Sequence, residues 1–191
     1  VAALGVVAAA LLLIGALAAI NGALLIGVVE LLVGLVVVLA LLVSRAEIAP
    51  AQGGHGSTRL GISAAIAGAA VFVLMLSGGF TSCNTTAPCS EWPTCDGNYV
   101  PLGTSATDLH LVHRWLALIA VLAIGVLLIT AWRQRGTHPA LLGLATATAA
   151  LTAAQIFVGA ANIWFSLNPA VSAAHFGVAT LIWSGLVALV V

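Results

Sequence analysis

Long apolar stretches alternate with short polar connections along the chain. Six stretches reach or approach the roughly 20 residues that a helix needs to cross a bilayer. They lack the two-residue alternation of barrel strands and are rich in alanine, leucine, valine and glycine, which favours helices. The pattern predicts an all-α integral membrane protein with six transmembrane helices, at about 1–20, 23–43, 60–79, 109–132, 139–161 and 171–191.

Composition and charge support the membrane class. Hydrophobic residues make up 62% of the 191 residues and charged residues only 5%, whereas a soluble domain has about 25% charged residues. The five basic residues are all arginine and the formal net charge is zero, so nothing in the charge pattern indicates a nucleic-acid partner. The partner that composition predicts is the lipid bilayer.

The charged connections predict an orientation. Segments 44–59 and 132–138 hold four of the five arginines, whereas the long segment 80–108 holds no basic residue. The positive-inside rule therefore places the two arginine-containing connections in the cytoplasm and segment 80–108 on the outer, periplasmic or extracellular, side.

The chain divides into two helical units. The pairs LLLIGA with QIFVGA and LIGVVELL with HFGVATLI are similar, which predicts an internal repeat; shared apolar composition is the competing explanation. On the repeat interpretation, 1–45 is a degenerate helix pair, 46–59 is a cytoplasmic loop, and 60–191 is a complete four-helix unit. Both ends lie within apolar runs, and no signal-peptide pattern opens the chain, so we expect it to belong to a longer protein.

Two of the five histidines are candidate metal ligands. His113 and His175 each lie about one turn into a predicted helix, and both helices run inward from the outer side, so the imidazoles share one depth. Ionisable groups within a span are functional candidates, and two imidazoles facing across a bundle are the ligand set of a six-coordinate b-type haem. The competing interpretation is that each histidine only bonds a carbonyl. His55 and His138 fall in the predicted cytoplasmic loops and are interpreted as solvated.

Polar neighbours of this pair have open roles. Arg114 either pairs with a haem propionate or reaches the membrane interface. His110 shares the face of His113 by i, i+3 spacing and either contacts a propionate, relays protons as a candidate catalytic residue, or sits at the interface. Asp108 is expected to be the helix N-cap. Glu30 is an acid within a span and receives no role.

The segment CSEWPTC contains Cys89 and Cys95, and Cys83 precedes it. Three kinds of site compete here: a zinc knuckle, a redox pair and a disulfide. The C-x₅-C spacing is too wide for a usual knuckle, and a thioredoxin-like pair needs C-x-x-C on a βαβ scaffold. A disulfide fits best because the predicted outer side is oxidising, and Cys83 remains either a free thiol or an alternative partner.

Five motifs occur in this order along the chain: GGF, CSEWPTCDG, HLVHRWLA, QIFVGA and AAHFGVATLI. In these motifs, about residues 75–191 closely resemble the haem A synthase family. That family has a Gly-Gly helix end, a C-x-x-W-P-x-C-(N/D)-G loop, a His-Arg pair opening the next helix, and a second histidine opening the helix two further on. The matching positions are Gly78, Gly79, Cys89, Trp92, Pro93, Cys95, Gly97, His113, Arg114 and His175.

The resemblance implies an eight-helix protein of two four-helix halves that oxidises the C8 methyl of haem O to the formyl group of haem A for cytochrome oxidase. It implies His113 and His175 as axial ligands of one haem b, haem O and haem A as substrate and product, and a Cys89–Cys95 disulfide.

The sequence departs from this pattern at two positions. His110 stands where the family's reactive half commonly has glutamate, and Leu25 aligns with His175. Two functions therefore stay open. One is a haem A synthase-type oxidoreductase with one intact haem site, working as an oligomer. The other is a non-catalytic haem-b electron-transfer or structural subunit of a respiratory complex.

Overall fold

The computed structural model describes residues 58–84, 89–101, 106–136 and 139–190. These residues form four helices: α1 (Thr58–Asn84), α2 (Ala106–Arg133), α3 (Pro139–Trp164) and α4 (Pro169–Val190). Each is long and apolar enough to cross a membrane, which confirms the predicted all-α membrane class. The spans expected at 1–20 and 23–43 lie outside the described residues, so six helices in all remain a prediction.

The four helices pack as a ring. Helix α1 contacts α2 and α4, and α3 contacts the same two helices. Helices α2 and α4 therefore face each other diagonally, and side chains that point inward from them meet across the centre of the bundle.

An apolar core fills the end of the bundle away from the α1–α2 connection. Its buried side chains come from the start of α1, the end of α2, the start of α3 and the end of α4. Ala64 and Ala67 are fully buried, and such small residues let neighbouring helices approach closely. Phe72 and Trp183 pack across the α1–α4 contact with ring centroids 5.9 Å apart. This core holds one end of the ring together and leaves polar side chains to meet at the other.

Two expected helix boundaries are wrong. Helix α1 continues through Gly78 and Gly79 to Asn84, and within this last part the Thr81 hydroxyl donates to the Ser77 carbonyl at 2.7 Å. Because helix α2 begins at Ala106, Asp108 lies inside its first turn and is not the N-cap. A carboxylate there still interacts favourably with the positive end of the helix dipole.

A tight turn joins α3 to α4. Ser166 and Leu167 adopt positive φ angles of 52° and 58°, and the Leu167 amide donates to the Asn162 carbonyl at 2.7 Å. Asn168 caps α4, since its Oδ1 accepts from the Ala170 amide at 3.0 Å, as expected for an asparagine N-cap. This turn determines where α4 begins, and it thereby places His175 about two turns into the helix.

Candidate functional site

The imidazoles of His113 and His175 face each other inside the bundle. Their ring centroids are 6.5 Å apart and their planes are inclined by 65°. His113 comes from α2 and His175 from α4, the two helices on the diagonal of the ring. The tertiary structure therefore brings together the two histidines that the sequence predicted to lie at one depth in the membrane.

Two residues of α1, Ser77 and Gly78, contact the His113 ring. The Ser77 hydroxyl lies 2.8 Å from Nδ1 of His113. Gly78 lies against the same ring, because a Cβ built on it would be 3.1 Å from Cε1 of His113. A larger residue at position 78 would push the imidazole from its present place, so this glycine serves close packing and does not end the helix.

Helix α3 provides the matching surface for His175. A Cβ on Gly159 would lie 3.1 Å from Cε1 of His175, the same relationship that Gly78 has with His113. The Gln155 amide nitrogen donates to the His175 backbone carbonyl at 2.7 Å. Within the described part of the chain, the buried Nδ1 of His175 and Oε1 of Gln155 have no hydrogen-bond partner.

This arrangement fits a metal bound between the two rings. A bond from an imidazole nitrogen to a transition metal is about 2 Å long, so two rings on opposite sides of one ion have centroids about 6 Å apart. The observed 6.5 Å agrees. The 65° inclination is compatible as well, because each ring can rotate about its own metal–nitrogen bond. Among the described residues no group of three or more histidine, cysteine, aspartate or glutamate side chains forms a metal cluster.

His110 lies on the same helix as His113 and nearer its start. Its buried Nε2 has no hydrogen-bond partner among the residues that the structure describes. Buried polar atoms in proteins almost always have a partner. His110 is therefore available to a polar group of a bound molecule or to water.

Arg114 is directed away from the rings and toward residues 89–101, here called the cysteine loop. Its guanidinium donates to the carbonyls of Pro93 at 2.7 Å, Thr94 at 2.6 Å and Glu91 at 3.1 Å. The neighbouring Trp115 indole donates to the Tyr99 carbonyl at 2.9 Å. Both side chains attach the loop to α2, a role that the sequence did not indicate; propionate binding by Arg114 stays a prediction.

The cysteine loop is closed by a disulfide between Cys89 and Cys95, as expected. Both cysteines are only 2% exposed and pack with Leu111 of α2. Trp92 reaches the end of α3, where its ring contacts Trp164 with centroids 6.4 Å apart. The loop thus spans from α2 to α3 at the end of the bundle that carries the histidines. The side chain of Cys83 and the positions of Glu30, His55 and His138 lie outside what the structure describes.

Glu91 organises the loop from within, and the sequence offered no signal for it. Its carboxylate accepts hydrogen bonds from the Gly97 amide at 2.6 Å and from the Thr94 hydroxyl. The Thr94 and Gly97 hydrogen bonds, together with the nearby positive charge of Arg114, lower the pKa of Glu91 below its ordinary value. Gly97 has φ of 78°, a conformation that glycine adopts without strain, which accounts for a glycine at this place in the motif.

A cleft of about 140 Å³ lies between the cysteine loop and α2. It is beside Arg114 and not between the two histidines. Its walls are formed by Pro93, Tyr99, Leu111, Arg114, Trp115 and Leu118.

Sequence comparison decides the family. The COX15-CtaA family profile, described as cytochrome oxidase assembly protein, matches residues 2–187. The chain belongs to the haem A synthase family. The resemblance predicted from the motifs is therefore confirmed, and the match extends over the first 45 residues as well.

Curated relatives in this family carry the name haem A synthase. The one from Staphylococcus epidermidis is 32% identical over 98 residues, which are 51% of this chain and 32% of the relative. The one from Staphylococcus carnosus is 31% identical over 101 residues, 52% of this chain and 33% of the relative. The Staphylococcus aureus relative is 30% identical over 98 residues, 51% of this chain and 32% of the relative. The chain thus covers about one third of the length of each relative, and no solved structure matches it.

Proposed function

We propose that this chain binds one b-type haem between His113 and His175 and takes part in haem A synthesis, the oxidation of the haem O methyl group to a formyl group. The observation that carries the proposal is the pair of imidazoles on diagonal helices with ring centroids 6.5 Å apart. Membership of the haem A synthase family supports the same assignment. Bound haem would supply the redox chemistry that no amino-acid side chain provides.

Each part of the site has a role in this proposal. His113 and His175 ligate the iron, and Gly78 and Gly159 leave room for the two imidazoles in those positions. The cysteine loop lies over this end of the bundle and keeps water from the bound group. Arg114 holds the loop in place through three carbonyls.

His110 is the candidate residue for proton transfer or propionate binding. Its buried Nε2, which has no hydrogen-bond partner among the described residues, lies near the loop end of α2, one turn before His113. Arg114 adds a positive charge at the same end, which favours the propionates electrostatically. Neither side chain is needed to ligate iron, so the two roles are separable by mutation.

The proposal includes an orientation and partners. The cysteine loop lies on the outer side and the arginine-containing connections in the cytoplasm, in agreement with the positive-inside rule. Haem O and haem A are the substrate and product, and further contacts are with a second copy of the chain or with subunits of a respiratory complex.

A specific observation favours a second function, non-catalytic electron transfer or a structural role in a respiratory complex. The position three residues before His113 is His110, not the glutamate that the resemblance implies for a reactive half. A site with two histidine ligands and no such carboxylate suits one-electron transfer through a bound haem b.

Purified protein distinguishes these functions. A pyridine haemochrome assay and reduced-minus-oxidised spectra should show one haem b per chain, and His113→Ala or His175→Ala should abolish it. His55→Ala, in a predicted solvated loop, is the matched control and should retain haem. An unchanged spectrum in both ligand variants would refute the site.

Adding haem O with O₂ as the oxidant tests the chemistry, because converting a methyl to a formyl group removes four electrons and adds one oxygen atom. Formation of haem A by the wild-type protein supports the synthase function. One bound haem b without any haem A formed would instead refute the synthase function and leave the electron-transfer or structural function.

A further inference from the structure

The hydroxyl of Ser77 lies between a backbone carbonyl of its own helix, α1, and the imidazole of His113 on α2. Its Oγ is 2.7 Å from the Leu74 carbonyl oxygen and 2.8 Å from Nδ1 of His113. Both distances are those of good hydrogen bonds. The serine hydroxyl has a single hydrogen, so Ser77 can donate in only one of the two contacts.

Counting hydrogens determines the direction of each bond. A carbonyl oxygen has no hydrogen, so the contact between Ser77 and Leu74 requires the hydrogen of the serine. The contact between Ser77 and His113 then requires a hydrogen on Nδ1 of the imidazole. A neutral imidazole with its hydrogen on Nδ1 has its free lone pair on Nε2.

We propose that Ser77 is a positioning residue that holds His113 as the Nδ1–H tautomer, so that Nε2 is the atom presented to the haem iron. This inference rests on the haem site proposed above. A hydrogen bond from the second ring nitrogen fixes the orientation of a ligating histidine and raises its basicity. Ser77 therefore makes His113 a stronger and better-oriented ligand.

Among the residues that the structure describes, the opposite histidine, His175, has no such partner. Gly159 lies against His175 as Gly78 lies against His113. The residue before Gly78 is Ser77, but the residue before Gly159 is Val158, which has no hydroxyl. Nδ1 of His175 accordingly has no hydrogen-bond partner within the described residues. The two imidazoles are thus held unequally, and the difference traces to one hydroxyl.

The first test needs no haem. Protein with ¹⁵N-labelled histidine, purified without haem in detergent, is compared with Ser77→Ala by NMR of the ring nitrogens. We expect an Nδ1–H signature for one buried histidine in the wild type and its loss in the variant. Ser63→Ala is the matched control, because Ser63 also donates to the carbonyl three residues before it, at 2.9 Å, on the same helix. An unchanged tautomer in Ser77→Ala would overturn the proposal.

The second test measures ligand strength. Ferric haem affinity should fall about tenfold in Ser77→Ala, the lower end of the usual effect of losing such a partner, and stay unchanged in Ser63→Ala. If the affinity for ferrous haem is unaffected, a tenfold loss of affinity for ferric haem raises the midpoint potential of the bound haem by about 59 mV, because the couple transfers one electron. Equal affinities and potentials in the two alanine variants would contradict the proposal.

A further pair of variants separates the hydroxyl from packing. Ser77→Thr and Ser77→Val have side chains of the same shape, and only threonine retains the hydroxyl. We expect wild-type tautomer and affinity in the threonine variant and the alanine phenotype in the valine variant; identical behaviour of the two would overturn the role of the hydroxyl. A wild-type protein that binds no haem would refute the proposed function, whereas the tautomer experiment would still decide the role of Ser77.

Discussion

Gly78 lies directly against the imidazole of His113, so a methyl group at this position would fit only if the ring moved. A Cβ at this position would be 3.1 Å from Cε1 of His113, closer than carbon atoms normally approach. Because Gly159 has the same relationship with His175, each candidate ligand rests on a glycine of the adjacent helix.

Gly78→Ala and Gly159→Ala should therefore weaken haem binding. The added methyl displaces the ring by a few tenths of an ångström, at a cost of about 1–3 kcal/mol for overpacking. Haem titration of the purified variants measures the effect. Gly61→Ala and Gly143→Ala are matched controls on the same two helices, because among the described residues no neighbouring element comes within 4 Å of the added Cβ. Haem affinity as strong in Gly78→Ala as in Gly61→Ala would contradict this prediction.

Gly185→Ala should destabilise the bundle without acting at the histidines. Its Cβ would lie 2.7 Å from Oγ1 of Thr148, which cannot easily move because it donates to the Leu144 carbonyl at 2.9 Å. We expect a loss of about 1–3 kcal/mol in the free energy of unfolding, measured by denaturant titration in detergent. The double variant Thr148→Ala, Gly185→Ala should recover much of it, since the clash is removed. Gly125→Ala, whose Cβ would meet no neighbouring element within 4 Å among the described residues, serves as control.

Arg114→Lys should loosen the cysteine loop even though the charge is kept. A planar guanidinium reaches three carbonyls at once, and an ammonium group cannot reproduce that fork. We expect a loss of about 1–2 kcal/mol in loop docking, seen as faster amide exchange of Cys95 and Asn98, whose amides bond within the loop. Arg135→Lys, whose guanidinium stacks on Trp132, should leave loop exchange unchanged. Equal loop protection in both variants would refute this role of Arg114.

The cysteine loop should also loosen in acid. Hydrogen bonds from Thr94 and Gly97 and the charge of Arg114 lower the folded-state pKa of Glu91 below its unfolded value. The stabilisation that the Glu91 carboxylate gives the folded loop is therefore complete above the pKa of Glu91 in the unfolded state. It is lost as the pH falls through the pKa of Glu91 in the folded state. Exchange of the Gly97 amide, corrected for its intrinsic rate, should rise in that range. Glu91→Gln should exchange faster at neutral pH and lose the acid dependence; if the variant kept the dependence, another group would be responsible.

The sequence predicted the membrane class, the approximate spans of the four described helices and the disulfide. It also selected His113 and His175, because ionisable residues stand out in apolar spans and their distance from the helix start is a local property. It missed Ser77, Gln155 and Glu91, which resemble ordinary polar residues until their partners are known. It also assigned the Gly-Gly pair to a helix end, although α1 passes through both glycines.

The difference between what the sequence predicted and what it missed has a physical cause. In a membrane the lipid-facing side chains are as apolar as the buried ones; Ile62 and Leu122 are 55% and 61% exposed in the bundle yet look like core residues in the sequence. The length of an apolar run therefore reveals that a helix spans the bilayer but not which face it turns inward. The sequence by itself predicted the spans of the four described helices and the candidate haem-binding residues, and it identified the family. Only the tertiary packing of α1 on α2 and of α3 on α4 decided the rotation of each helix, and hence that Ser77 meets Nδ1 of His113 and that Arg114 turns to the loop.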